Sequence, residues 1–202
     1  EALAVRFIYQ LKNATELLDE GYELGFDQII LKDGNPASIR LSELSPVQGA
    51  DDEEIAVYED DDFVTLRGGN FRYRYSKLRG CFDEMTYDQK PLLARPMEYN
   101  VWRAPTDNDR EIRVQWQNSG YDRAVIRCYE TDIYAGSEEV TLCTSLSVAA
   151  DSIRPFVRAE VQWTIHGDGN VDCSIQATRD PAFPFLPRFG IRMMLPEKMN
   201  EV

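Results

Sequence analysis

A strand with one buried face must place apolar and polar side chains alternately, and residues 157–165, VRAEVQWTI, do so without an exception. Val157, Ala159, Val161, Trp163 and Ile165 fall on one face; Arg158, Glu160, Gln162 and Thr164 fall on the other. The turn formers of HGDGN follow, and then VDCSIQA (171–177) alternates again. This pattern predicts an antiparallel hairpin with long arms and excludes a helix there. It recurs along the chain. Strands are predicted at 1–11, 22–31, 124–134 and 140–148, and RFGIRMML puts Phe189, Ile191, Met193 and Leu195 on one side. Gly68-Gly69-Asn70 joins two further alternating runs, with Phe71, Tyr73 and Tyr75 facing one way and Arg72 and Arg74 the other. Pro181, Pro184 and Pro187 forbid a central strand between the last two, because each removes a ladder donor. The fold class is all-β, an antiparallel sandwich.

Two or three strands within residues 1–34 cannot close a sandwich by themselves. The first residue is Glu1 rather than Met, which reads as an excised fragment with its partner strands upstream. Residues 35–62 read as a linker and acidic segment: NPASIRLSELSPVQG is rich in turn formers, and 51–62 hold eight carboxylates without a basic residue. That run lacks the spacing, central Gly and terminal Glu of an EF-hand loop, so it reads as a solvated face or edge strand. Residues 63–80 invert the polarity, with five basic residues and none acidic.

Charge excludes some functions. A formal net charge of −13 repels phosphate backbones and anionic headgroups, so nucleic acid and membrane surfaces are not expected partners. The basic, aromatic-rich 63–80 run is expected to pair with the acidic segment beside it. No apolar run approaches the roughly 20 residues of a spanning helix, and no signal peptide is visible. The four cysteines are widely separated and His166 is the sole histidine, which leaves no zinc cluster; buried free thiols and a reducing cytoplasm are expected, with His166 a turn residue.

One stretch is unlike its surroundings: YNVWRAPTDND, 99–109. Ala104-Pro105 fixes an extended or turn dipeptide, Asp107, Asn108 and Asp109 are loop builders, and Arg103 can clamp a carboxylate bidentately. On these residues alone a structural loop is preferred to a ligand site. Trp102 and Trp116 are candidates for stacking a sugar, while Trp163 is in phase with a core face.

The same stretch resembles a sequence that marks the C-terminal β domain of lacZ-like β-galactosidases of glycoside hydrolase family 2. Its flanks agree in order: RGCFDEMTYDQKPLL is similar to the strand pair before the motif, VQWQNSGYD to the segment after it, and LPRFGIRMMLP to a later Pro-Arg-x-Gly segment. Upstream, DEGYELGFDQIIL resembles the closing strands of the family's second immunoglobulin-like domain. The resemblance implies the end of that domain at 1–34 and the N-terminal part of a galactose-mutarotase-like super-sandwich at 63–202. It implies a retaining hydrolase of terminal β-D-galactosides whose two catalytic glutamates lie on a barrel outside these residues, so no catalytic residue and no cofactor is expected here. Magnesium, and sodium with it, is implied for the whole enzyme, as are the barrel as partner, a β-galactoside substrate, a homo-oligomer and a cytoplasmic location. It also implies that REIRVQW, after the motif, is a shorter connection than usual near the mouth of the active site. Arg103, Asp107, Asn108 and Asp109 carry over as motif residues that hold the loop. Two rival readings stay open: a free-standing carbohydrate-binding sandwich, and a structural or assembly domain.

Overall fold

A computed structural model describes residues 3–32, 54–136 and 139–197. The chain divides into two compact units, Glu1–Gln48 and Gly49–Val202. The expected linker thus lies outside the described residues as far as residue 53.

The described part of the first unit is one antiparallel hairpin, β1 (Leu3–Gln10) with β2 (Glu23–Lys32). Backbone bonds from Leu11 to Tyr22 and from Gly21 to Leu11 close it, and the Tyr9 hydroxyl donates to Asp27. The alternation of β1 was expected to bury one face. Instead Val5, Phe7 and Tyr9 are 38%, 47% and 52% exposed; the described residues of this unit supply two strands and no second layer to cover them.

The second unit holds the remaining strands. A five-stranded antiparallel sheet runs β3-β4-β5-β6-β7, from Ala56–Glu59, Phe63–Arg67, Phe71–Ser76, Cys81–Tyr87 and Lys90–Pro91. A pair joins β8 (Arg95–Asn100) to β13 (Gly190–Met194), and a four-stranded sheet runs β12-β11-β10-β9, from Val171–Arg179, Val157–His166, Glu139–Ala149 and Val125–Ala135. β3 lies inside the acidic segment and Ile55 beside it joins the core, so the first strand of this unit precedes Phe63.

The apolar rows of the sheets share one core. Phe71, Tyr73 and Tyr75 are all but fully buried, as are the alternate residues of β10 and β11. Phe82 packs edge-on against Trp163 at 5.1 Å, a geometry that suits the ring quadrupoles. Polar tips inside this core are paired: Tyr75 Oη meets Thr144 Oγ1 at 2.5 Å and Tyr73 donates to Gly169 O. The Gly80 carbonyl accepts from both Tyr99 Oη at 2.7 Å and Trp163 Nε1 at 3.2 Å, so one backbone oxygen ties β8 and β11 together. On the outer side of the five-stranded sheet Arg72 and Arg74 both reach Glu84 on β6, while Lys77 takes Glu59 of the acidic segment, as expected; these are the pairs among the described residues.

The thiols are free, but not uniformly buried. Cys81 is fully enclosed and donates to Met97 O, Cys128 and Cys143 are half-buried, and Cys173 is exposed. His166 closes β11 at the mouth of its hairpin, with Nε2 3.0 Å from Asp172 Oδ2 and Nδ1 3.7 Å from Glu139 Oε2.

Candidate functional site

The motif loop leaves β8 through Val101, which is buried and anchors its start. The Trp102 amide donates to Asn100 Oδ1 at 3.0 Å, turning the chain. Residues Asp107–Asp109 form a short 3-10 turn, as a run of side chains that compete for their own backbone favours.

The turn is held by a fork. Arg103 Nη1 donates to Asp109 Oδ2 at 2.5 Å and Nη2 to Oδ1 at 2.9 Å, the bidentate arrangement that a planar guanidinium permits. The same carboxylate accepts the Thr106 amide at 2.7 Å and hydroxyl at 2.9 Å. The Arg103 guanidinium, and next the Thr106 amide, pull the Asp109 carboxyl down to about 2; the same pairing raises Arg103. Arg103 Nε donates to Pro187 O at 3.2 Å, so the fork also grips the proline-rich segment.

A helix missed by the sequence reading completes the grip. α1 (Ile112–Asn118) occupies the stretch taken for a short connection. Ile112 and Trp116 lie four residues apart on one face, a signal too brief to separate from a strand. Gly120, with φ +77°, ends it where a Cβ would sit 2.3 Å from Ala150 Cβ. Trp116 is fully buried, edge-on to Trp102 and Phe185, and its indole donates to Phe185 O at 2.8 Å. Tyr121 donates to Pro184 O at 2.7 Å. Residues 184–187 lack a strand ladder, and these side chains satisfy the carbonyls that the prolines leave unpaired.

Two expectations change on this geometry. Asp109 builds the loop, whereas Asp107 and Asn108 are exposed and make no side-chain hydrogen bond among the described residues. Trp116 has no ring face open to a sugar, because the helix and the proline segment enclose it. Trp102 stays half-buried on the wall of a groove of ≈ 200 Å³ that also touches Glu98, Asn100, Asp122 and Arg192. Glu98 there is already engaged by Arg192 at 2.6 Å and Arg95 at 3.3 Å. Among the described residues no three His, Cys, Asp or Glu side chains come together as a metal site. No described helix is long and apolar enough to cross a membrane.

Fold and site together define an all-β domain of antiparallel sheets whose conspicuous motif is a salt-bridged structural loop. Residues 67–202 match the family described as Beta galactosidase small chain, and the chain belongs to it. It is similar to the Beta-galactosidase of Actinobacillus pleuropneumoniae, 34% identical over 194 residues, covering 96% of this chain and 19% of that protein. The Beta-galactosidase of Staphylococcus xylosus is 28% identical over 195 residues, with 96% and 19% covered. A Beta-galactosidase small subunit of Latilactobacillus sakei is 25% identical over 163 residues, 71% of this chain and 51% of that protein. The chain thus spans about a fifth of the length of the first two relatives.

Proposed function

We propose that this chain is the non-catalytic C-terminal β region of a lacZ-like β-galactosidase of glycoside hydrolase family 2, a cytoplasmic homo-oligomer that hydrolyses terminal β-D-galactosides with retention. The observation that carries this reading is the family match over 67–202 in a chain that aligns with only 19% of the A. pleuropneumoniae enzyme. Retaining hydrolysis needs two carboxyl groups about 5–5.5 Å apart, one as acid/base and one as nucleophile. Those groups belong, in this reading, to a barrel outside this chain, as do the sites for the magnesium and sodium of the whole enzyme. In this reading residues 1–34 close an immunoglobulin-like domain, and the terminal sandwich begins with β3, ahead of Phe63. Arg103 and Asp109 then stiffen a loop near the mouth of the active site.

The test pairs intact mass with activity. The native polypeptide should be about five times the length of this chain and cleave a chromogenic β-galactoside, while the 202-residue chain alone should not. Cleavage by the short chain refutes the assignment of the catalytic groups elsewhere. A native protein of only this length refutes the enzyme reading. Trp102 on its groove favours one second reading, a sugar-binding sandwich; galactose binding by the short chain, abolished in Trp102→Ala, would support it.

A further inference from the structure

The end of the β11–β12 hairpin remote from its turn is rich in guanidinium groups. The Asp180 amide donates to Phe156 O at 2.9 Å and the Phe183 amide to Asp180 O at 3.1 Å, so the chain entering β11 and the chain leaving β12 are held together. A cavity of ≈ 260 Å³ opens there, and its lining includes Arg154, Arg158, Thr178, Arg179, Asp180 and Pro181.

Donors outnumber acceptors in this cavity. Asp180 is the one carboxylate of the lining, and it is taken: Oδ2 meets Arg154 at 3.1 Å and Oδ1 accepts the Ala182 amide at 2.9 Å. Arg179 donates through Nη1 to the carbonyls of Asp180 and Phe183, which fixes its guanidinium without neutralising it. Arg158 is exposed and among the described residues has no ion pair, not even with Glu160 two residues on. Thr178, directly across the ladder from Arg158, makes no side-chain hydrogen bond among the described residues. Arg127 stands in the same row on β9, on the far side of Ser147, and adds charge of the same sign. The neighbouring phenol responds: the Ser147 hydroxyl, and then Arg158 and Arg127, draw Tyr129 below its usual value. Three guanidinium groups against one carboxylate leave two positive charges unmatched, on a chain whose formal net charge is −13.

The geometry points to a binding site for a single phosphoryl group, either inorganic phosphate or the monoester of a small metabolite. Near neutral pH such a group carries about 1.5–2 negative charges and offers strong acceptor oxygens, which match the unmatched guanidinium groups and the Thr178 hydroxyl. Pro155, Phe156 and Pro181 line the same cavity, and walls of low polarity focus the field of the arginines. The net negative charge of the chain still repels a polyanion, so the site suits one phosphoryl group rather than a phosphate backbone.

Calorimetric titration of the full-length polypeptide with inorganic phosphate and, separately, with glycerol phosphate tests it. One saturable site per chain should appear, weakened tenfold or more in Arg158→Gln at an unchanged melting temperature, because Arg158 holds no described ion pair. Affinity should also fall as pH drops through about 6, where a phosphoryl group takes up its second proton. Arg72→Gln, which removes a guanidinium from the five-stranded sheet, should bind like the parent. Binding of inorganic phosphate assigns the site to the free ion, and binding of glycerol phosphate alone assigns it to a monoester; both support the inference. Absence of binding by either ligand overturns it, as does an Arg158→Gln protein that keeps the parent's affinity. An equal loss in Arg72→Gln reduces the effect to bulk charge and overturns it too. None of these readouts requires the polypeptide to cleave a β-galactoside.

Discussion

Gly80 offers a quantitative check on how the sheets are joined. Its φ is +68°, where an L side chain is strained by roughly 1–2 kcal/mol. A Cβ built there would lie 2.9 Å from Cys128 Sγ and 3.2 Å from Thr144 Cγ2, and such overpacking costs about 1–3 kcal/mol. Relief by moving the backbone is closed off, because the Gly80 carbonyl must keep both Tyr99 and Trp163 as donors. Gly80→Ala should therefore destabilise the unit by about 2–5 kcal/mol, which at about 2–4 °C per kcal/mol for a domain of this size lowers Tm by about 4–20 °C. Thermal unfolding followed by far-ultraviolet circular dichroism measures this. Adding Cys128→Ala removes the nearest obstacle and should recover part of the loss, leaving the backbone strain. A Gly80→Ala protein that melts within a degree of the parent refutes the argument. A double variant no more stable than the single one refutes its steric half.

Other consequences are checked more simply. Asp109 is the depressed carboxylate, so the stability it contributes is complete above the usual unfolded value near pH 4 and disappears as pH falls toward about 2; Asp109→Asn should melt lower at pH 7 and show a weaker acid dependence in that window. Acrylamide should quench Trp102 but spare Trp116 and Trp163, so Trp102→Phe should abolish most of the quenching; strong residual quenching contradicts the burial of the other two indoles. Burial pushes the Cys81 thiol up to about 12 and Cys128 up to about 11, which leaves little thiolate at pH 8. Cys81 should then stay unlabelled by a thiol reagent until denaturant is added.

The strands were legible because half-buried strands impose a period of two, and residues 157–177 meet it with few competing signals. β4 and β5 were equally plain, since Gly68-Gly69-Asn70 punctuates them and their aromatic rows do enter the core. What alternation cannot state is whether a second layer exists. Val5, Phe7 and Tyr9 have the same pattern as Val157, Ala159 and Val161, yet among the described residues only the latter meet an opposing sheet. Charge complementarity along the sequence did not single out Glu84 as the ion-pair partner of Arg72 and Arg74, because cross-strand neighbours are nearer than sequence neighbours once β5 and β6 pair. At the motif the residue types were right and their division of labour was not. One carboxylate of the Asp-Asn-Asp run can meet Arg103, and the register of the 3-10 turn gives that place to Asp109. The role of Trp116 was hidden because its partner Phe185, whose ring and carbonyl it meets between the prolines, is 69 residues away.

That division of labour changes what a mutation in the loop should do. Arg103 joins two segments 84 residues apart and Asp109 fixes its fork, so both are spent on holding the loop. Asp107 and Asn108 are carried on that rigid turn with their side chains in solvent, and removing them breaks no described contact. A loop-holding role for Asp107 would make Asp107→Ala lower stability; the structure predicts instead that Asp107→Ala/Asn108→Ala melts within about 1–2 °C of the parent. In the full-length polypeptide the same double variant then separates two roles without interference from unfolding. A changed KM or kcat at unchanged Tm would mean that the exposed pair reaches the substrate side, as the proposed place of the loop requires; unchanged kinetics would leave the turn a purely structural element. A fall in Tm of 5 °C or more would show that the pair holds the loop after all, and the assignment of the lock to Arg103 and Asp109 would be incomplete.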